Sequence, residues 1–415
     1  MKTWITYIAA MLMGLATSLL FGTFTQTAGI LSSVSSYMIS LGVFISIPVI
    51  FITLASGTAS LMKDKKGKKV FGFSLLWSVV TAIILAFAAA VVFIAKPEGF
   101  PVTSSAGSAP GTLLSHVSYM MSSAGSAMYP LNAFWTLAST TRFILPLIII
   151  SWILGLALKP SADIIRPAYT TMNSFSEVMY RVSRTYTVYG FFLVFITSAS
   201  FFTDVYQEKT IFAVPEYAKL LTIAAIAAVI IVLPLLYAIF TGFRKNPYKV
   251  LYRSIASMLM GFTTSNIVAA IPVNESIARQ NLGVQKRIAS TATPLLSVIG
   301  KGGSAFVAVL TMLTLFTETT ESMPSASVIA ITAITAAAVS FASSVSAGTE
   351  IAIITVITLQ LLGINLYGAE NAIVAFLPIL GGLATMIDSL IVSFGNSVVA
   401  TAVGTDVEIP YRDTI

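Results

Sequence analysis

The chain has 415 residues, of which 56% are hydrophobic and 9% charged, with a formal net charge of +7 and no cysteine. So little polar surface cannot cover a soluble globule, and the lack of cysteine excludes a disulfide framework and thiol chemistry. In so apolar a chain the positive excess reads as the loop asymmetry of a membrane protein, not as a nucleic-acid footprint.

The apolar residues gather into long stretches, and a helix needs roughly 20 of them to cross about 30 Å of hydrocarbon. Stretches such as Leu220 to Phe240 do not alternate, so they read as helices and not as the strands of a barrel. Candidate spans run near 4–22, 35–61, 70–95, 140–158, 184–203 and 216–243. The first follows Lys2 without a convincing cleavage site and is expected to be a retained helix. Lys2, the group Lys63, Lys65, Lys66, Lys68 and Lys69, the pair Lys159 and Arg166, and the group Arg244, Lys245 and Lys249 fall at every second connection. The positive-inside rule makes those connections and the N-terminus cytoplasmic. The intervening loops, 23–34 and 96–133, carry a single Lys96. The only histidine, His116, lies in the second of these loops and reads as a surface residue, and no set of metal ligands converges. Ser161 to Arg184 mixes apolar and charged residues and reads as an interfacial amphipathic helix or as the start of the next span.

From Tyr252 the pattern breaks. Residues 250–275 are interrupted by Gly261 to Asn266 and flanked by basic residues on both sides, which makes a re-entrant hairpin from the cytoplasm. A span over 288–316 holds Gly300-Lys301-Gly302-Gly303-Ser304 near its middle. Residues 328–362 are interrupted by Ser343 to Glu350 and lack flanking Lys or Arg, which makes a second hairpin from the outside. The last helix, 372–404, carries Asp388 and Asn396, and the tail through Arg412 returns to the inside. Irregular backbone at membrane depth is tolerated only inside protein or around a watery cavity, so the two breaks point to a solute site. The alternative is that the small residues simply let helices approach.

These residues resemble the dicarboxylate/amino acid:cation symporter family, which includes the glutamate transporters. The resemblance covers nearly the whole chain and is strongest over 250–315. It rests on Thr263-Thr264-Ser265-Asn266, Ala269-Ala270-Ile271-Pro272, Asn281-Leu282-Gly283-Val284 and the run from Pro294 to Ala305, at the family's spacing. Ser40 to Phe44 through Pro48, and the lysine-rich turn at 63–69, are similar as well. The resemblance implies an all-α polytopic membrane protein with eight transmembrane helices and two re-entrant hairpins, assembled as a homotrimer and working as an elevator. It would place scaffold helices 1 and 2 in 1–69, transport helix 3 in 70–95, and helices 4 to 6 in 140–243, with 4 and 5 in the scaffold and 6 in the transport domain. Hairpin 1 (250–275), helix 7 (288–316), hairpin 2 (328–362) and helix 8 (372–404) complete it.

Departures from the family pattern bear on mechanism. Where the family has Asn-Met-Asp serving sodium sites, this chain has Gly300, Lys301 and Gly302. Matching Gly395-Asn396 to the family's Gly-Asp puts Thr385 at the amino-binding aspartate, Asp388 at the arginine that reads an acidic side chain, Ser389 at the following threonine and Val392 at the asparagine. A register one residue different puts Asp388 near the amino-binding position instead. Neither keeps the arginine or the final aspartate.

Lys301, Glu350 and Asp388 are ionisable residues at membrane depth, where each costs several kcal/mol, about 3 or more, and is expected to be paired and functional. Lys301 is either a tethered cation replacing a bound one, or half of a structural ion pair with Glu350 or Asp388; the two readings are compatible. The expected substrate residues are Ser265, Asn266, Ser346, Gly348, Thr385, Asp388, Ser389 and Asn396. Gly300, Lys301, Gly302 and Asn396 replace cation ligands, and Glu350 or Asp388 offers a proton-coupling or ion-pair carboxylate. The expectation is a secondary active transporter for a neutral or cationic amino acid or related carboxylate, with altered or absent sodium coupling, no cofactor and no enzymatic activity. Its other expected partners are membrane lipid and further copies of itself in a bacterial inner membrane. The alternatives are a sodium- or proton-coupled symporter of dicarboxylates or acidic amino acids, and an uncoupled exchanger.

Overall fold

The computed structural model describes residues 2–22, 25–101, 144–158, 163–208, 215–342, 350–364, 372–404, 407, 409–410 and 414–415. Among these every regular element is a helix. The N-terminal part comprises α1 (Thr3–Phe21), α2 (Thr25–Lys63), α3 (Gly67–Ala95), α4 (Leu145–Ala157), α5 (Arg166–Tyr189), α6 (Phe191–Glu208) and α7 (Pro215–Phe240). The C-terminal part comprises α8 (Pro247–Arg253), α9 (Ile255–Thr264), α10 (Ile267–Gln280), α11 (Lys286–Ile299), α12 (Gly302–Thr320), α13 (Ala326–Ala342), α14 (Glu350–Leu362) and α15 (Ile373–Val403). Six stretches among the described residues are long and apolar enough to cross a membrane, with α11 and α12 counted together, and a seventh results if α5 and α6 form one span.

Two boundaries differ from the sequence reading, each for a local reason. The stretch 23–34, expected to be a loop, is helical from Thr25 onward, so α2 runs for 39 residues, about 58 Å at 1.5 Å per residue. Its hydroxyls do not break it because Ser32 and Ser33 donate back to the Gly29 carbonyl at 3.1 and 2.8 Å. The segment before the fifth expected span is α5 itself, which continues to Tyr189 and then bends by 52° into α6. Gly190 is the hinge residue. The Tyr7 hydroxyl donates to the Thr187 carbonyl at 2.8 Å, and a Cβ at Gly190 would collide with that hydroxyl.

Proline shapes α7 in the same local way. Pro234 has no N–H for the Ile230 carbonyl, and the helix widens into a π-helical stretch over Ala227–Val232 just before it. The Tyr248 hydroxyl donates to the released Ile230 carbonyl at 3.3 Å.

The pair α11 and α12 is the most enclosed of the six spanning stretches and α1 the least. α11 packs on α2 and α15, and α12 on α3 and α15. Two helix pairs flank this centre: α9 and α10 against α15, α13 and α14 against α12. The loop around His116 and residues 343–349, between α13 and α14, lie outside the described residues. The ends of the chain meet, since the Lys2 ammonium donates to the Thr414 hydroxyl at 2.9 Å.

Candidate functional site

The centre of the molecule is a broken helix. Gly300 ends α11, donating to the Leu296 carbonyl at 2.7 Å, and α12 starts afresh at Gly302. The break leaves the first N–H groups of α12 without intrahelical acceptors, and a helix N-terminus favours negative charge. Asp388 of α15 supplies it. Its Oδ1 accepts from the backbone N–H of Gly303 at 2.7 Å and of Ser304 at 3.4 Å, and its Oδ2 accepts from the Ser304 hydroxyl at 2.7 Å. Both oxygens are engaged and the residue is 1% exposed. The glycines of the break permit this approach: a Cβ on Gly303 would lie 2.5 Å from the Ala384 carbonyl oxygen and 2.7 Å from Ile387 Cβ. A Cβ on Gly302 would press on Ile391 and Leu85 at about 3 Å.

Lys301, 2% exposed, sits between the two half-helices, and its Nζ lies 2.9 Å from Oε1 of Glu350. Glu350 is the first residue of α14, so the pair joins the broken span to the α13–α14 pair. Of the two acids expected as partners for Lys301, Glu350 makes the ion pair and Asp388 caps the neighbouring helix end.

The α9–α10 pair brings its tip to α15. Ser265 ends α9 in the left-handed region, at φ 48°, and its hydroxyl donates to the Pro378 carbonyl at 3.3 Å. Asn266 caps α10, its side-chain oxygen accepting from the N–H of Val268 at 2.9 Å and of Ala269 at 3.3 Å. Both residues are partly exposed. Ser265 thus meets α15 at Pro378 and Gly381, while one turn earlier Gly261 of α9 packs so closely that a Cβ there would lie 2.7 Å from the Thr385 carbonyl oxygen and 2.5 Å from Ser389 Oγ. The Thr385 hydroxyl bonds within its own helix to Gly381 at 2.8 Å, and the buried Ser389 hydroxyl has no hydrogen-bond partner among the described residues.

Asn396 stands apart from this group. It is fully buried and exchanges hydrogen bonds with Thr293 of α11 at 3.0 and 3.2 Å. Ser346 and Gly348 lie outside the described residues. Sequence reasoning missed three participants. Ser304 supplies the hydroxyl for Asp388. Trp77 of α3 donates from Nε1 to the Ile391 carbonyl at 3.0 Å and abuts Gly395. Thr293 holds Asn396. Ser304 alone carried a sequence signal, as the first hydroxyl after a glycine run that opens a helix.

The chain matches the family described as "Sodium:dicarboxylate symporter family" over residues 4–405. Among curated proteins it is similar to neutral amino acid transporter A of Homo sapiens, 29% identical over 169 residues, which cover 39% of this chain and 30% of that protein. Neutral amino acid transporter B(0) of Oryctolagus cuniculus is 26% identical over 163 residues, again 39% of this chain and 30% of the relative. The human B(0) protein is 34% identical over 76 residues, covering 18% and 14%. These alignments thus span less than a third of each relative's own length.

Proposed function

This chain belongs to the sodium:dicarboxylate symporter family, and on that premise we propose that it is a secondary active transporter for a small neutral or cationic amino acid, or a related carboxylate, with sodium coupling weakened or lost. It works as a homotrimer, one domain sliding against a fixed trimerisation domain, with both termini in the cytoplasm. The meeting of Lys2 with Thr414 supports a shared side for the termini, and the basic connections support the cytoplasm as that side.

The single observation that carries the coupling is the ion pair of Lys301 with Glu350 at 2.9 Å. It occupies the break where the family pattern has Asn-Met-Asp, and it places a covalently attached positive charge among groups that would otherwise attract a mobile cation. A buried charge is retained only against such a partner. The substrate is met by the tip at Ser265 and Asn266, by the second tip around Ser346 and Gly348, and by the hydroxyls of Thr385 and Ser389. Asp388, committed to Gly303 and Ser304, holds the N-terminus of α12 in place for them. No arginine stands in either register near Asp388, so the bidentate clamp that selects a second carboxylate is missing. The names of the similar curated proteins, neutral amino acid transporters, agree with that preference.

The test is uptake of a labelled amino-acid panel into proteoliposomes with and without a sodium gradient. We expect uptake of a neutral or cationic amino acid that is the same in both conditions. Strict sodium dependence of the unmodified protein would overturn the tethered-cation reading and leave Lys301 a structural residue. No uptake of any amino acid or dicarboxylate would overturn the transporter reading.

A further inference from the structure

We propose that Glu275 of α10 binds a proton in this arrangement of the chain and releases it when α10 moves along α5, at a site separate from Lys301, Glu350 and Asp388. Glu275 is 0% exposed. Its Oε1 accepts from the Ser290 hydroxyl of α11 at 3.3 Å, and its Oε2 has no hydrogen-bond partner among the described residues. Helix α2 closes the site from the other side, where a Cβ on Gly57 would lie 3.2 Å from Ser290 Cβ. A carboxylate enclosed in this way with a single hydrogen bond is costly, and a proton removes its charge.

The cations within reach are engaged with another acid. Arg279, one turn further along α10, lies 3.2 Å from Oε2 of Glu177 on α5, and its guanidinium stands over the Tyr180 ring, 3.2 Å from the centroid. Lys286 of α11 lies 3.2 Å from the same Glu177 oxygen and donates to the Asn173 carbonyl at 3.2 Å. Arg279, Glu177 and Lys286 are the charged groups that act on Glu275, and α2, α9 and α15, which also pack on α10, add none among the described residues. No three His, Cys, Asp or Glu side chains gather to hold a metal ion among the described residues either.

Glu177 therefore decides the charge of Glu275. On the transporter reading, on which this step rests, α10 and α11 belong to the domain that slides and α5 to the domain that stays. Sliding takes Arg279 and Lys286 away from Glu177. Residues four apart share a helix face, and an acid preceding its base is the favourable order, so Arg279 then pairs with Glu275. The carboxyl gives up its proton to water, and the charge left on Glu275 is held against Arg279.

The experiment records infrared spectra of the purified full chain in detergent at neutral pH, where the C=O stretch of a protonated carboxyl stands apart from the bands of a carboxylate. The parent is expected to show a carboxyl band that Glu275→Gln lacks. Glu177→Gln, which frees both cations and leaves Glu275 in place, is expected to lose the same band. Identical carboxyl bands in the parent and Glu275→Gln would overturn the proton on Glu275. A full band in Glu177→Gln would overturn the exchange of partners. In proteoliposomes, substrate uptake by the parent should change with pH, and uptake by Glu275→Gln, uncharged at every pH, should lose that response. Parent uptake that ignores pH would overturn the link to movement and leave the transporter reading standing. No uptake at all would overturn that reading, while the infrared band still decides the proton.

Discussion

The Lys301 ammonium lies 2.9 Å from the Glu350 carboxylate, and this contact joins the break between α11 and α12 to the start of α14. Both side chains are almost fully enclosed, at 3% and 8% exposure. Removing one member leaves the other charge buried and alone, which costs about 3–5 kcal/mol, whereas removing both together costs far less. Lys301→Met is therefore expected to unfold at a markedly lower temperature in detergent than the parent protein, and Lys301→Met/Glu350→Gln to recover most of the loss. Equal losses in the two variants would show that the pair does not couple these helices.

Asp388 serves three donors on α12, so its replacements should fall in a definite order. Asp388→Ala leaves the N–H groups of Gly303 and Ser304 and the Ser304 hydroxyl without their acceptor, and hydrogen bonds to a charged group contribute about 1.5–3 kcal/mol each. Asp388→Asn keeps one acceptor oxygen for the backbone and should cost less. Thermal unfolding should rank parent, Asn and Ala in that sequence. In uptake assays both variants should lose transport, because the tilt of α12 is no longer held.

Gly303 of the break is expected to be indispensable in a way that an uncrowded helical glycine such as Gly72 is not. Gly303→Ala forces a Cβ against backbone at 2.5 Å, and overpacking of this kind costs about 1–3 kcal/mol. Gly72 of α3 has nothing within 4 Å of where a Cβ would go, so Gly72→Ala should gain about 0.5–1 kcal/mol from helix propensity. Opposite signs in the unfolding temperatures of these two variants are the expected result.

The long apolar helices were legible because hydropathy and length decide them: the last stretch read from the sequence, 372–404, is Ile373–Val403 in the structure, stopped at Gly404 with φ 68°. The sequence reading carries 288–316 through as one span, whereas the structure divides it at Gly300 and Lys301 into α11 and α12, because the freed helix start is held by Asp388 from a distant helix. The choice between Glu350 and Asp388 as partner of Lys301 was not legible, because it depends on which helix faces the break. The bend at Gly190 was hidden for a similar reason, being set by a tyrosine hydroxyl 180 residues away in sequence. Asn396 lies about 12 Å along α15 from Asp388, and its bond to Thr293 is a contact between α11 and α15 that no local pattern signals.

If Lys301 replaces a bound cation, deleting its charge should create a requirement for one. In Lys301→Met the Glu350 carboxylate remains enclosed without the ammonium it pairs with, and a small monovalent ion entering the vacated space would relieve that cost. A ligand that binds only the folded state stabilises it by RT ln(1 + [L]/Kd), about 2.7 kcal/mol at a concentration one hundred times Kd. The unfolding temperature of Lys301→Met should therefore rise as sodium replaces a large organic cation at constant ionic strength. The parent protein, with its own ammonium, and Lys301→Met/Glu350→Gln, with one carboxylate fewer, should respond little. A sodium response of the same size in all three would mean that the ion acts elsewhere and that Lys301 is no substitute for it.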